Sequence, residues 1–200
     1  MDTRRIARIA MIAAVYAGTT LVVILFLGWM AWGPIQFRIS EALTMLALFT
    51  ADAVPGLTLG CVIANVANIA LSGVGTLGLL DVVFGSMATA LGALFSWHFR
   101  RRPALAVAGP VLANALIVPA YLPFMLQGLG FYTIPFTSID LEGAYLLMYL
   151  FGFVATGIGE AAVMYLLGLP LCHALARTPL AEQPSTDNAT GPFKPEEAQS

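Results

Sequence analysis

Charge is scarce in this chain. Asp, Glu, Lys and Arg make up 10% of its 200 residues, and none interrupts residues 9–37, 53–80 or 103–139. Each run exceeds the roughly 20 apolar residues that cross a bilayer, and a soluble domain carries about 25% charged residues, so a soluble protein is excluded. Cysteine is scarce too: Cys61 and Cys172 both lie in apolar runs, which argues against a structural disulfide. They read as small packing residues, and no metal-ligand spacing is present. No G-x-x-x-x-G-K-[ST] occurs, so the chain lacks a phosphate cradle for ATP, and Gly85-Ser86-Met87 does not complete a G-x-S-x-G elbow. Neither His98 nor His173 falls at membrane depth beside a nucleophile, so no catalytic residue is assigned. No basic face or aromatic platform suits nucleic acid. The paired halves typical of secondary carriers are missing as well, which leaves a binding subunit that takes its energy from partners as the best-fitting class.

What is present is hydrophobic: 59% of residues, with a mean hydropathy of +0.85. Breakers and charges divide the chain into predicted spans at Ile9–Met30, Ile39–Val54, Gly56–Leu71, Leu79–Phe99, Ala104–Leu126 and Ala144–Leu167. The second and third are short and meet at Val54-Pro55-Gly56, where Pro-Gly predicts a turn. Arg4, Arg5 and Arg8 precede the first span, Arg100, Arg101 and Arg102 follow the fourth, and Arg177 follows the last. Six crossings put every cluster on one side, which the positive-inside rule makes the cytoplasm. The predicted fold is therefore an all-α membrane protein, a bundle of six transmembrane helices with both termini cytoplasmic. Residues 1–177 form the membrane domain. Residues 178–200, rich in Pro, Glu, Gln, Ser and Thr, read as a disordered cytoplasmic tail, in which the Asn188-Ala189-Thr190 sequon has no role. The apolar run behind the basic N-terminus is too long for a removable signal and reads as a first span. Outer loops are expected at 32–40, 72–78 and 127–143, the last long enough to act as a lid. Trp29, Trp32, Phe131, Tyr132 and Phe136 read as an interfacial aromatic belt.

A carboxylate in hydrocarbon costs several kcal/mol unless it meets a partner or a cavity, so each intramembrane acid is a site candidate. Glu41 opens the second span, Asp81 opens the fourth, and Glu160 lies midway down the sixth. Asn65 and Asn68 lie one turn apart on the third span, and Asn114 occupies the middle of the fifth. Together they predict a polar pocket open to the outside. Two alternatives stand beside it: the amides act as interhelical glue, and Asp81 acts as an N-cap. Arg38 either pairs with Glu41 three residues on or donates to a ligand carbonyl. Asp52, His98 and His173 fall at cytoplasmic ends and read as interface residues. On the first span, Ala10, Ala14 and Gly18 recur every fourth residue, with Ala13 and Ala17 adjacent, a smooth stripe for close helix packing.

Several blocks in order resemble one family. They are Trp-Gly-Pro-Ile-Gln-Phe-Arg-Ile-Ser-Glu-Ala-Leu (Trp32–Leu43), Pro-Gly-Leu (Pro55–Leu57), Gly-Cys-Val-Ile-Ala-Asn (Gly60–Asn65), Gly-Leu-Leu-Asp-Val-Val-Phe-Gly-Ser (Gly78–Ser86), Asn-Ala-Leu-Ile-Val (Asn114–Val118), Gly-Ile-Gly-Glu (Gly157–Glu160) and Tyr-Leu-Leu-Gly-Leu-Pro (Tyr165–Pro170). The chain is similar to the QueT family over residues 6–177. The resemblance implies a substrate-binding S component of an energy-coupling factor transporter in a bacterial cell membrane, taking up a queuosine precursor. Its implied partners are a scaffold membrane protein and two ATP-binding cassette ATPases, with ATP used by those partners and no cofactor on this chain. The small residues of the first helix, Ala10, Ala13, Ala14, Ala17 and Gly18, would meet the scaffold. A 7-deazaguanine offers N–H donors to a carboxylate and a carbonyl to an amide or guanidinium donor. Glu41, Glu160, Asn65, Asn68, Asn114 and Arg38 fit that match, Asp81 fits the aminomethyl cation of some precursors, Phe37 fits stacking on the base, and Gln36 is grouped with them. Glu41 and Glu160 are expected to be the decisive contacts. Another vitamin or purine-like ligand, or an autonomous carrier, remains the alternative reading.

Overall fold

The computed structural model describes residues 2–27, 38–73, 75–128 and 145–178, which form helices and the turns between them, with no strand among the described residues. Among the described residues, five helices have the length and composition to cross a membrane. The first, α1 (Thr3–Leu27), buries Ile12, Ala13, Tyr16, Ala17, Thr20 and Val23 along one face. Its other face exposes Met11, Val15, Val22, Leu25 and Phe26, the last 82% exposed. A helix that is apolar on both faces fits a lipid surround rather than water.

The second predicted span takes a different form. Ile39–Leu48 is a 3₁₀ helix of 10 residues, whereas 3₁₀ runs beyond 3–4 residues are uncommon. At about 2 Å per residue it reaches about 20 Å, short of the roughly 30 Å of hydrocarbon. It still carries the chain back along α1. Thr20 bonds Ser40 at one end (2.7 Å) and Arg5 bonds Asp52 at the other (2.7 Å). Thr20 and Arg5 lie about 22 Å apart along an α-helix. The segment is therefore antiparallel to α1 and supplies the sixth leg of the bundle.

The turn after it falls at residues 49–52, not at Pro55-Gly56 as the sequence predicts. α2 (Ala53–Ser72) begins ahead of that pair, so Pro55 occupies the first turn, where a missing N–H leaves no ladder bond unmade. Gly56 is there for space: a Cβ would sit 2.9 Å from Ile12. One turn on, a Cβ at Gly60 would meet the Ala13 carbonyl oxygen at 2.8 Å, so α1 and α2 pack backbone to backbone. α2 ends at Gly73, whose φ of 70° is the left-handed conformation that glycine adopts without strain.

α3 (Gly75–His98) begins with a 3₁₀ turn and widens into a π segment at Asp81–Gly85 before continuing as Ser86–His98. A single turn, Pro103–Ala106, leads into α4 (Ala108–Gly128), which carries Pro119 and Pro123 inside it. There Tyr145 and Tyr149 donate to the Ala120 and Leu116 carbonyls, at 2.9 and 3.2 Å, tying the proline-bearing turns to the next helix. That helix, α5 (Tyr145–Ala176), runs nine residues past the predicted end at Leu167. A π segment, Met164–Gly168, leads directly into Pro170, so the proline falls in the first turn of the following Leu169–Ala176 stretch instead of ending the helix.

The helices alternate in direction. One apolar cluster joins Leu48, Ala106, Val107, Met164 and Cys172, and packs on Phe99, marking the end where the 3₁₀ helix, α3 and α5 finish. The other end is marked by Val118, Tyr121 and Leu122 against Ile69, Leu77 and Leu80. Asp52 holds Arg5 and Arg8 at 2.7 and 3.3 Å at the first end, where Arg100–Arg102 and Arg177 also lie. The basic clusters thus share one end of the bundle, as six legs require. The expected tail beyond Thr178 and the aromatic belt residues lie outside the described residues.

Candidate functional site

Polar side chains fill the middle of this apolar bundle. Glu41, Asp81, Asn65, Asn68, Asn114 and Glu160 are each 5% exposed or less, and Arg38 is 6% exposed. Two linked groups account for most of them.

The first is built on Asp81. Arg38 Nη2, just ahead of the 3₁₀ helix, donates to both Asp81 carboxylate oxygens at 3.0 and 3.1 Å. Tyr121 of α4 donates to Oδ1 at 2.6 Å, and Asn65 Nδ2 of α2 donates to the Asp81 backbone carbonyl at 2.8 Å. Asp81 is interior to a helix and caps nothing, and Arg38 pairs with it rather than with Glu41. The π segment shapes this corner: a Cβ at Gly85 would lie 2.6 Å from Asp81 Oδ1, so only glycine leaves room for the carboxylate.

The second is built on Glu41. Tyr16 of α1 donates to its Oε1 in a short hydrogen bond, Thr89 of α3 donates to the same oxygen at 3.0 Å, and Thr44 donates to Oε2 at 3.3 Å. Cys61 Sγ bridges the two groups, 3.4 Å from Thr89 Oγ1 and 3.5 Å from Asn65 Nδ2. That thiol is therefore more than the space-filler the sequence suggests. Cys172 is a packing residue in an apolar cluster, and both cysteines are free.

Glu160 is held differently. It lies on α5, 2% exposed, close enough to Glu41 and Arg38 to feel their charges, with the Asn114 amide of α4 beside its carboxyl. Yet among the described residues Glu160 Oε1 has no hydrogen-bond partner, nor do Asn114 Oδ1 and Nδ2, Thr156 Oγ1 one turn earlier on α5, or Ser86 Oγ. Buried polar atoms are nearly always paired, because leaving one unmade costs about 1–3 kcal/mol. A cluster of them in one interior marks a place where a ligand or water supplies the missing partners.

Of the residues expected to bind substrate, Arg38, Glu41, Asn65 and Asp81 share the network and Asn114 and Glu160 adjoin it. Asn68 is buried one turn beyond Asn65, and Gln36 and Phe37 lie outside the described residues. Tyr16, Thr44, Thr89, Tyr121 and Thr156 were not anticipated. Thr44 and Thr156 stand three and four residues from an acid on the same helix, a spacing that could have flagged them. Tyr16, Thr89 and Tyr121 reach their acids from other helices, and no sequence signal announces them. On α1 the stripe divides: Ala10, Ala14 and Gly18 are exposed, and nothing lies within 4 Å of a Cβ added to Gly18. Ala13 and Ala17 turn inward, 2% and 5% exposed, Ala13 against Gly60 of α2.

The model of the QueT transporter family matches residues 6–177. A queuosine precursor transporter QueT of Lactococcus lactis subsp. cremoris (strain MG1363) is 36% identical over 89 residues, 44% of this chain and 52% of that protein. The chain thus spans about half the length of that curated relative. No solved structure matches it.

Proposed function

The chain belongs to the QueT transporter family, and from that premise we propose that this multi-pass bacterial membrane protein binds a queuosine precursor, a 7-deazaguanine, inside its helical bundle for import. The observation that carries the reading is the unfilled hydrogen-bonding capacity around Glu160, where a carboxylate oxygen, both atoms of the Asn114 amide and the Thr156 hydroxyl lack partners among the described residues. A guanine-like heterocycle supplies what these groups lack, with N–H donors for the acid and a carbonyl for the amide N–H. Arg38, Asp81 and Tyr121 hold each other, and Glu41 is held by Tyr16, Thr44 and Thr89, so their part is to fix the walls rather than to wait for the ligand.

The finer assignment is that of an S component of an energy-coupling factor importer, with a scaffold membrane protein and two ATP-binding cassette ATPases as partners. Two features support it. The chain has no phosphate cradle for ATP, and the Ala10, Ala14 and Gly18 stripe of α1 is left exposed, smooth enough for another helix to pack closely. Ala13 and Ala17, buried within the bundle, do not contribute to that surface.

Thermal unfolding of the purified chain across a panel of 7-deazaguanines, purines and vitamins tests the ligand class. A compound that binds only the folded state at 100 times its Kd stabilises it by about 2.7 kcal/mol. Stabilisation by 7-deazaguanines alone is expected, and a panel in which they are inert while a vitamin stabilises would replace the substrate. Uptake into proteoliposomes tests the assembly: the chain alone should bind but not accumulate ligand, and accumulation without an ATPase would refute the partnership.

A further inference from the structure

The basic end of the bundle carries more charge than it uses. Among the described residues it holds seven arginines, on α1, on the turn between α3 and α4 and at the end of α5, against the carboxylates of Asp2 and Asp52. Asp52 is taken by Arg5 and Arg8 at 2.7 and 3.3 Å. An arginine at the end of a helix can be there for the helix alone, since a cation offsets the negative end of the dipole and bonds the last carbonyls. Arg100 meets that description. Its Nη1 donates to the Trp97 carbonyl oxygen at 3.1 Å, and its guanidinium lies 3.9 Å from the centre of the Trp97 ring. Arg101 and Arg102 do neither: both are exposed, with no side-chain hydrogen bond or ion pair among the described residues.

The same turn encloses a cleft of about 330 Å³, lined by His98, Phe99 and the three arginines. That volume is at the small end of the range of ligand sites. Walls that supply three guanidiniums and an imidazole, and no carboxylate, suit an anion with several oxygens, which a guanidinium fork engages two at a time. A phosphate group is such an anion, and it reaches this end of the bundle from two sources, a lipid headgroup or a soluble phosphate. The surroundings favour the lipid. Trp97 lies at the end of a membrane-spanning helix, the level at which tryptophan marks the headgroup region, and its ring holds Arg100 there. Leu94, one turn before His98, is 49% exposed, and Leu105, one turn beyond Arg102, is 38% exposed. Apolar side chains on both sides of the basic turn give acyl chains a surface beside the cleft, which a soluble anion has no use for.

We propose that the turn at 98–102 is a binding site for the phosphate of an anionic phospholipid in the cytoplasmic leaflet. Arg101 and Arg102 are its uncommitted contacts, and Arg100, fixed on Trp97, presents its remaining N–H groups in a set position. The site lies at the opposite end of the bundle from the Arg38–Asp81 corner and does not depend on the identity of the transported ligand.

The test is equilibrium binding of phosphatidylglycerol and phosphatidylcholine to the detergent-purified full chain at about 0.15 M salt, with retained lipid counted by native mass spectrometry. The wild type should retain one phosphatidylglycerol with at least about tenfold higher affinity than phosphatidylcholine, whose choline cancels the charge that the arginines meet. Arg101→Gln with Arg102→Gln should bring that ratio to within about threefold of one. Arg4→Gln with Arg177→Gln removes the same charge from the same end and should leave the ratio within about threefold of wild type, since exposed charges out of contact with the lipid are screened. Equal losses in the two double variants would mean a diffuse attraction to the whole basic end and overturn the site, as would a wild type without preference. Where the glutamine pair does not fold, Arg101→Lys with Arg102→Lys keeps the charge that orients the chain in the membrane and loses the two-pronged fork. It should lower the preference by at least about threefold, and an unchanged preference overturns the proposal. Millimolar inorganic phosphate should leave the bound lipid in place, and displacement by it would assign the cleft to a soluble anion and overturn the lipid site.

Discussion

Breaking the Arg38–Asp81 pair from one side should cost far more than removing both partners. The two side chains are 6% and 7% exposed and 3.0 Å apart. At an effective dielectric constant of about 20, two unit charges at 3.0 Å attract by about 5.5 kcal/mol. Desolvating each ion costs several kcal/mol in return, so the intact pair adds little net stability. Removing one partner is another matter, because the survivor stays buried and uncompensated. Arg38→Met leaves the Asp81 carboxylate with the Tyr121 hydroxyl as its remaining side-chain donor among the described residues, and Asp81→Asn leaves a guanidinium without its paired carboxylate. Each single change should destabilise by about 3–5 kcal/mol. The double variant should lose at least about 2 kcal/mol less than the sum, the size of coupling seen for residues in one network. Chemical unfolding of all four proteins in the same detergent, without ligand, gives the coupling energy directly. Additive losses, or singles below about 1 kcal/mol, would show that the charges do not need each other and would refute the view of this corner as a closed ion pair.

Tyr16→Phe strips one of the three hydroxyl donors from Glu41 and should cost about 1–3 kcal/mol in the same unfolding assay, while a loss under about 0.5 kcal/mol would mean that the acid is held by other groups. At the contact of α1 with α2, Gly60→Val drives a side chain into the Ala13 carbonyl and Tyr16 and should destabilise by about 1–3 kcal/mol or more. Gly18→Ala, in open space on α1, should be neutral or gain up to about 1 kcal/mol from helix propensity, and equal penalties at the two glycines would contradict the packing described. At the basic end of the bundle, Asp52→Asn should cost no more than about 1 kcal/mol, because Arg5 and Arg8 are 50% and 41% exposed, and the difference from wild type should shrink as salt is added.

The amino-acid sequence alone determined that this is an all-helical membrane bundle, since runs without charge longer than a bilayer is thick admit little else. It also singled out the intramembrane acids and amides as candidates, because polar groups in hydrocarbon are costly. The position of each leg followed from apolar length, and the shared end of the basic clusters followed from arginine placement. Local conformation did not. Pro55-Gly56 reads as a turn but starts a helix, because a first-turn proline forfeits nothing and the glycine makes room for Ile12. α5 runs through Pro170 because a π segment precedes it, which no residue pattern announces. Above all, the tertiary structure decided who partners whom. Asp81 and Arg38 are 43 residues apart, and Glu41 and Thr89 are 48 apart. Sequence gives helix faces but not the rotation of one helix against the next, so it could name Glu41 and Glu160 as a pair of candidates without separating them. Only the packed bundle distinguishes the acid already enclosed by hydroxyls from the one whose Oε1 has no partner among the described residues, because those hydroxyls come from other helices as well as its own.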